Sequence, residues 1–320
     1  MTEILRLNLL SPITLAFALG IFARVVKSEF SLPRQMYTGL GIYLLFALGL
    51  KGGVELAKEP LGVIILPVAV TLVLGCIRPL TSYAVLRKLG GFNTDDSAGI
   101  AAHYGSVSAV TFIAALTFLE GMREPVEGYL PTLLAILESP GIHIALAIGA
   151  LKQADRTESM GSVLHEVLTG RTMILLVGGL VVGYFMAPGT WDQVAGFYDG
   201  AVFKGALCLF LLEMGVVAGE RLGDLKESGL FLLAFGVIMA VIHGVVGVGA
   251  GLLAGLSPGG ATVLGAMSAS ASYIAAPPAV RMTLPAANPT LSLTASLAIT
   301  FPFNIIFGIP LYYQVALWMT

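Results

Sequence analysis

The sequence predicts an all-α integral membrane protein with ten transmembrane helices. Of its 320 residues, 57% are hydrophobic and 11% are charged, whereas a soluble domain carries about 25% charged residues. The mean hydropathy is +0.90, and the chain holds 39 Gly and 16 Pro, which are commoner in transmembrane helices than in soluble ones. A net charge of -2 provides no basic surface, so we expect no nucleic-acid partner. This composition excludes an ordinary soluble enzyme.

Ten apolar runs are long enough to span a bilayer, because a helix needs roughly 20 apolar residues to cross about 30 Å of hydrocarbon. The first five runs cover residues 9–26, 36–56, 61–86, 98–118 and 129–151. A polar stretch follows at 152–170, and we predict that it is a linker. The other five runs cover residues 171–187, 199–219, 229–256, 260–284 and 290–318. The sequence therefore divides into a first five-helix repeat, 1–151, and a second, 171–320.

The two halves resemble each other in the order of their motifs. The segment from Leu45, LFALGLKGGVEL, aligns with LLEMGVVAGERL from Leu211. The segment from Ser97, SAGIAAHYGSVSAV, aligns with ATVLGAMSASASYI from Ala261. Because each half has an odd number of spans, a duplicated second half enters the membrane from the opposite side, which is the inverted repeat of many secondary transporters. The alternative is that helices rich in Gly and Ala align through composition alone.

Hydroxyl-rich patches interrupt the fourth and ninth runs at matching positions. Ser106 aligns with Ser270 and Ser108 with Ser272, and Pro277–Pro278 follows the second pair. Two consecutive prolines supply no amide donors, so we expect the ninth helix to be broken. Half-helix N-termini present free amides and positive dipole ends, which suit a small anion. We therefore predict an anion site where two broken helices cross at the membrane midplane; the alternative is that these small residues only pack helices closely.

Ionisable residues inside the runs are functional candidates, because a charge is costly in hydrocarbon. Glu138 precedes a proline by two residues, and we predict that it binds sodium or a proton, or else forms a buried hydrogen bond. Glu213 is predicted to pair with Lys51, since their helices are repeat mates. His143 and His243 are interpreted as hydrogen-bonded packing residues rather than proton relays.

The basic residues predict the orientation. Eleven of the 17 Lys and Arg lie in loops after odd-numbered runs, and such loops are cytoplasmic by the positive-inside rule. Both termini should therefore face outward, and the 152–170 linker should face the cytoplasm. Arg78 lies inside the third run and receives no role. The sequence has no Walker lysine, zinc-protease motif or dinucleotide loop, so we predict that it is not an enzyme and that an ion gradient drives uphill transport.

Three segments resemble the sodium-dependent bicarbonate transporters of cyanobacteria and their bacterial relatives. They are HYGSVSAVTFIAALTFLE from His103, GFYDGAVFKGALCLFLLEMGVVAGERLGDLK from Gly196 and SASASYIAAPPAVRMTLPAANPTLSLTASLAITFP from Ser268. The resemblance implies a homotrimer in the bacterial inner membrane, with a gate domain of spans 1, 2, 6 and 7 and a core domain of spans 3, 4, 5, 8, 9 and 10. It implies sodium-coupled uptake of bicarbonate or a similar small monoanion by an elevator-like movement. The rival functions are a passive anion channel and a membrane anion sensor.

The resemblance also implies the binding residues, with sodium as the coupling ion and no other cofactor. Bicarbonate would be bound by Gly105, Ser106, Ser108, Ser270, Ala271 and Ser272. Sodium would be bound by Thr111, Glu138, Ser268, Ser270 and Asn288. Two positions depart from the family pattern, since Tyr273 and Glu138 stand where the cyanobacterial proteins have aspartates. A linker shorter than in those proteins weakens the implied binding of a PII-type regulator.

Glycines at GxxxG spacing mark the second and seventh runs, where Gly49 pairs with Gly53 and Gly215 with Gly219. Small residues at this spacing let two helices approach closely. We hypothesise that they line a seam along which the core slides against the gate. The alternative is a static contact between the second and seventh helices.

Overall fold

The computed structural model describes residues 2–151, 160–187 and 189–320, and this part of the chain is folded into helices. The first half contains α1 (Thr2–Leu9), α2 (Pro12–Val25), α3 (Arg34–Leu56), α4 (Leu61–Lys88), α5 (Thr94–Gly105), α6 (Ala109–Gly121), α7 (Leu130–Glu138) and α8 (Pro140–Ala150). The second half contains α9 (Met160–Thr169), α10 (Arg171–Tyr184), α11 (Trp191–Tyr198), α12 (Ala201–Arg221), α13 (Leu225–Leu253), α14 (Pro258–Ala269), α15 (Ala276–Thr283), α16 (Pro289–Leu293), α17 (Phe301–Phe303) and α18 (Ile309–Met319). Two π-helical stretches, Thr294–Thr300 and Asn304–Gly308, join α16, α17 and α18 into one continuous rod. The predicted linker falls partly on residues 152–159, which lie outside the described residues.

Seven helical segments of the described chain are long and apolar enough to cross a membrane. An eighth candidate is formed by α1 and α2, which meet at a bend of 58°. Large apolar side chains are exposed on the outer faces, such as Leu61 and Phe185, as expected where lipid rather than water covers a helix. The protein is therefore an all-α membrane protein. The remaining two of the ten predicted runs fall on α10, a shorter apolar helix of 14 residues, and on the interrupted pair α14–α15, which is not among the candidate spans of the described chain. Ten spans therefore stay a prediction.

The fourth and ninth runs are both interrupted, and the predicted break of the ninth helix is confirmed. α5 ends at Gly105 before α6 begins at Ala109, and α14 ends at Ala269 before α15 begins at Ala276. The two upstream half-helices also begin alike, because each has a polar side-chain cap. The Asn93 side chain accepts a hydrogen bond from the Asp96 amide, and the Ser257 side chain accepts one from the Gly260 amide. Such caps satisfy amides that have no partner within the helix.

Four helices form a bundle beside the broken ones, in which α2 packs against α12 and α3 packs against α10. We call this group, α2, α3, α10 and α12, the side bundle. Backbones touch in both contacts: a Cβ added to Gly20 would lie 2.9 Å from the Gly215 Cα, and one added to Gly49 would lie 3.0 Å from the Gly179 Cα. Each contact requires glycine on both helices, because any larger side chain would force them apart.

Both interpretations of the paired glycines are therefore wrong. Gly49 and Gly53 lie against α10, where a Cβ on Gly53 would collide with the Leu180 carbonyl oxygen. Gly215 lies against α2, and a Cβ on Gly219 would lie 2.8 Å from the Arg24 Cβ. These positions pack the side bundle internally. They line neither a sliding seam against the broken helices nor a contact between α3 and α12.

The predicted pair between Glu213 and Lys51 is also wrong. Glu213 accepts a hydrogen bond of 2.7 Å from the Leu32 amide, and Lys51 forms an ion pair of 2.8 Å with Asp199. The packing interpretation of the two histidines agrees with the structure. The Nδ1 atom of His143 lies 2.8 Å from the Ser139 carbonyl oxygen, and the Nε2 atom of His243 lies 2.9 Å from Thr81 Oγ1.

Candidate functional site

The two helix breaks cross and are hydrogen-bonded to each other. The Ser108 amide donates to Ser270 Oγ at 2.9 Å, and the Ser272 amide donates to the His103 carbonyl oxygen at 2.8 Å. The predicted meeting of the two serine patches is thus observed. Ligand binding by these serines stays a prediction.

Most of the serine hydroxyls at this crossing hold the broken backbone in place. Ser106 Oγ donates to the Glu138 carbonyl oxygen at 2.8 Å, and Ser270 Oγ donates to the Met267 carbonyl oxygen at 2.7 Å. Ser272 Oγ accepts from the Ala275 amide at 3.1 Å. Because an unpaired backbone group is costly away from water, these hydroxyls have a structural task whether or not they also contact a ligand.

A small cavity lies between the crossing and the side bundle. Its volume is about 40 Å³, and one water molecule needs roughly 10–15 Å³ by the same measure, so a ligand of a few non-hydrogen atoms fits. The crossing and the start of α6 contribute Val107, Ser108, Ala109, Val110, Ile113, Ser272, Tyr273 and Ile274, and the C-terminal end of α7 contributes Glu138. The side bundle closes it with Gly41, Leu44, Leu45, Thr172 and Phe210.

The N-terminus of α6 is the electropositive wall of this cavity. The first amides of a helix have no partner within the helix and carry about half a positive charge. In α6 the Ser108 amide bonds Ser270, and the Thr111 amide donates to Ser108 Oγ at 3.2 Å. The amides of Ala109 and Val110 have no hydrogen-bond partner within the described ranges and remain for a ligand. This wall suits a small anion.

The second half-helix contributes less than expected. α15 begins at Ala276, and the next two residues are Pro277 and Pro278, which have no amide hydrogen. The Ala275 amide is taken by Ser272. In the first turn of α15, the Ala276 amide is therefore the one still able to donate to a ligand. The two helix N-termini at the crossing were expected to be equivalent, but α6 offers more free amides than α15.

Glu138 lines both the small cavity and a larger one, as do Thr172 and Ile274. Glu138 is 2% exposed, and its Oε2 atom has no hydrogen-bond partner among the described residues. The larger cavity, of about 440 Å³, also contains the exposed side chains of Arg34 and Arg171. These two arginines are the first residues of α3 and α10, where helix dipoles add to their charge. A positive entrance of this kind attracts anions.

The other residues implied as ligands are scattered. Thr111 Oγ1 is buried without a hydrogen-bond partner in the described chain, one turn into α6. Ser268 faces α13 instead, since a Cβ on Gly247 would lie 2.6 Å from Ser268 Oγ. Asn288 is exposed, and its side-chain oxygen accepts from the Thr290 amide at 2.9 Å as the N-cap of α16. Its backbone amide donates to Asp96 Oδ1 at 2.7 Å, so Asn288 is engaged in fixing a helix start.

Two implied bicarbonate ligands have no polar side chain to offer. Gly105 packs against Gly141, where a Cβ on Gly105 would lie 2.7 Å from the Gly141 carbonyl carbon. Ala271 is buried within the break. Tyr273, which stands where an aspartate was expected, lines the cavity and accepts a hydrogen bond of 3.3 Å from Ser108. In the described ranges, no group of three or more His, Cys, Asp or Glu side chains is placed to hold a metal ion.

Arg78 is the site residue that the sequence interpretation missed. It lies on α4 with 1% of its surface exposed, and its Nη2 atom donates to the Ser106 and Ser270 carbonyl oxygens at 2.7 and 2.8 Å. It thereby ties the two breaks together. The signal was present in the sequence, because a charged residue inside an apolar run is a functional candidate by default.

A comparison with models of known protein families identifies the family of the chain. The model of the Na+-dependent bicarbonate transporter superfamily matches residues 12–317. The chain belongs to this superfamily. No curated protein matches it. Membership of the Na+-dependent bicarbonate transporter superfamily is consistent with the apolar helices, and the sodium dependence of the family fits sodium as a coupling ion. The prediction that the protein is not an enzyme is confirmed.

Proposed function

We propose that the protein is a symporter that couples sodium entry to the uptake of bicarbonate or a similar small monoanion. The observation that carries this proposal is the cavity of about 40 Å³ at the N-terminus of α6. It combines unpaired amides, a hydroxyl and a positive helix end with a volume that admits only a small ligand. The apolar side chains of Leu44, Leu45 and Phe210 exclude water from its other side.

Sodium binds, in this proposal, on the Glu138 side of the same cavity. Carboxylate and hydroxyl oxygens are suitable ligands for hard cations. Glu138 Oε2 and Thr111 Oγ1 are both buried and have no partner among the described residues, which is costly unless a cation or water satisfies them. We assign sodium to these two oxygens, because Glu138 lines the cavity and Thr111 follows Val110, which also lines it. Ser268 Oγ is likewise buried without a partner among the described residues, but it faces α13, and Asn288 is exposed, so sodium is no longer assigned to them.

The proposed architecture is ten spans in two inverted five-helix repeats, with the crossing at the bilayer midplane. The contacts in the side bundle support it, because Gly20 meets Gly215 between α2 and α12 just as Gly179 meets Gly49 between α10 and α3. In an inverted repeat, α2 corresponds to α10 and α3 corresponds to α12, so each contact is the repeat equivalent of the other. This correspondence places Gly20 opposite Gly179 in the alignment of the two halves. The extended C-caps Ser106 and Ser270 form a second matched pair.

We propose that the side bundle is the gate and that α4–α8 with α13–α18 is the core, which moves past the gate like an elevator. The wall of Leu44, Leu45 and Phe210 against the crossing supports this division, since an apolar contact permits sliding. An exposed ion pair between Lys204 on α12 and Glu120 on α6 also joins the two parts, and it would have to break during the movement. The larger cavity opens beside Arg34 and Arg171, on the side that the basic loops assign to the cytoplasm. The conformation is then inward-facing, with both termini outside.

The resemblance further leads us to propose a homotrimer in the bacterial inner membrane. The short linker argues against binding of a PII-type regulator.

The test is uptake of radiolabelled bicarbonate into proteoliposomes, with a panel of small anions and with sodium exchanged for potassium. We expect sodium-dependent accumulation above the external concentration. Downhill flux that ignores sodium would identify a passive channel instead. Saturable binding with no flux would identify an anion sensor.

A further inference from the structure

Arg78 is a buried cation at the point where two helices end. The half-helices α5 and α14 have 12 residues each, and their C-caps are Ser106 and Ser270. The Nη2 atom of Arg78 donates to both C-cap carbonyl oxygens, at 2.7 and 2.8 Å. A single nitrogen atom therefore forms hydrogen bonds to the C-terminal ends of both broken helices.

The charges at this point balance without any bound ion. The C-terminal end of a helix carries about half a negative charge, so two ends that meet carry about one. The single positive charge of the Arg78 guanidinium matches this. In transporters with broken helices, half-helix C-terminal ends and unwound carbonyls are the groups that coordinate the coupling cation. Here a side chain already occupies them.

The geometry also corresponds to a cation position. An ion at the Nη2 atom would lie 2.7 and 2.8 Å from the two carbonyl oxygens. Contacts to calcium, a hard cation of similar radius to sodium, are roughly 2.3–2.6 Å. A shift of a few tenths of an ångström would bring both oxygens into the range of direct coordination.

A packing role alone does not account for this residue. The Nε and Nη1 atoms of Arg78 are buried and have no hydrogen-bond partner in the described part of the chain. Unpaired buried donors are destabilising, and a well-packed apolar side chain commonly replaces a buried ion at no loss of stability. What an apolar side chain could not provide is the positive charge that Arg78 places at the two carbonyl oxygens.

We propose that Arg78 is a built-in replacement for a coupling cation, so that the crossing binds one sodium ion fewer than its carbonyl oxygens would otherwise hold. The proposal rests on the proposed sodium symport and deepens it. Sodium is then left with the Glu138 side of the cavity, because Tyr273 brings a neutral phenol where an aspartate was expected. Arg78 is a positioning residue, since it acts through the backbone of the two breaks and does not line the small cavity.

The test compares Arg78→Gln with Arg78→Lys in purified full-length protein. Two quantities are measured for each: radioactive sodium bound per protomer, and melting temperature in sodium chloride against potassium chloride. We expect Arg78→Gln to bind about one sodium ion more than the wild type, because one positive charge has been removed from two negative helix ends. Its melting temperature should rise in sodium relative to potassium by more than that of the wild type. Arg78→Lys keeps the charge and should bind sodium as the wild type does.

Each other result overturns the proposal. If Arg78→Gln binds only as much sodium as the wild type, the proposal is contradicted. It is also contradicted if Arg78→Gln is unfolded to the same extent in sodium chloride and in potassium chloride, since Arg78 is then only structural. Extra sodium in Arg78→Lys contradicts it as well. The proposed symport is tested by a different result: it is contradicted if the wild type neither accumulates bicarbonate nor binds sodium. The gain of sodium by Arg78→Gln would still be measurable in that case.

Discussion

Glu138 is the buried carboxylate of the site, and its position between the two cavities distinguishes it from Glu213, the acid whose carboxylate accepts from the Leu32 amide. We expect Glu138→Gln to raise the sodium concentration for half-maximal uptake by about tenfold, the equivalent of about 1.4 kcal/mol, because a neutral amide is a weaker ligand for a hard cation. Anion preference should not change. Sodium titrations of initial uptake check this, with Glu213→Gln as the control. An unchanged sodium curve for Glu138→Gln would return this residue to a structural role.

Ser108 and Ser106 have different contacts in the structure, although both were predicted from the sequence to bind the anion. Ser108 lines the small cavity and caps α6, whereas the Ser106 hydroxyl is directed to the Glu138 carbonyl oxygen. Ser108→Ala should lower apparent anion affinity and lose about 1 kcal/mol of stability, as typical for an N-cap. Ser106→Ala should lose a similar amount of stability with normal anion affinity. Competition by unlabelled anion, with thermal unfolding of both variants, measures the difference. Equal losses of affinity would contradict the assignment of the cavity.

At the scale of helices, the side bundle depends on backbone contact at glycine. A Cβ on Gly53 would collide with Leu180 on α10, whereas Gly39 on the same helix has open space around it. Gly53→Ala should therefore lower the melting temperature and the yield of folded protein, because α3 and α10 must separate. Gly39→Ala should be neutral or stabilising by up to about 1 kcal/mol, since alanine favours helix over glycine. Thermal unfolding and size-exclusion profiles compare the pair. A Gly53→Ala protein that is as stable as Gly39→Ala would contradict the backbone contact between α3 and α10.

At the scale of the whole molecule, the larger cavity concentrates positive charge on one face. Replacing both Arg34 and Arg171 by Gln should slow transport at low ionic strength severalfold and have less effect at high salt, because screening weakens attraction beyond about 10 Å at 0.1 M. Lys88→Gln is the matched control, since Lys88 is exposed at the C-terminal end of α4, next to a loop assigned to the same face, but does not line the cavity. Initial rates across a salt series make the measurement. A loss that is equal at all ionic strengths would exclude electrostatic attraction as the cause.

The sequence by itself determined the class of protein, the places where helices break and the segments that meet at the site. Composition and run length follow from the solvent, because a bilayer demands long apolar helices. Local chemistry also acts within a few residues: Pro277–Pro278 cannot continue a helix, and the serine patches mark the same two interruptions in the structure.

Only the tertiary structure decided which residues are partners. Hydropathy does not specify which helix faces which, so Glu213, Lys51 and the paired glycines were given neighbours on the wrong helices. Arg78 shows the same dependence. Its two acceptors lie 28 and 192 residues along the chain, and they come within reach of one nitrogen because α4 packs against α5 and α14. A charged residue in an apolar run indicates a functional residue, but helix packing determines which carbonyl oxygens it contacts.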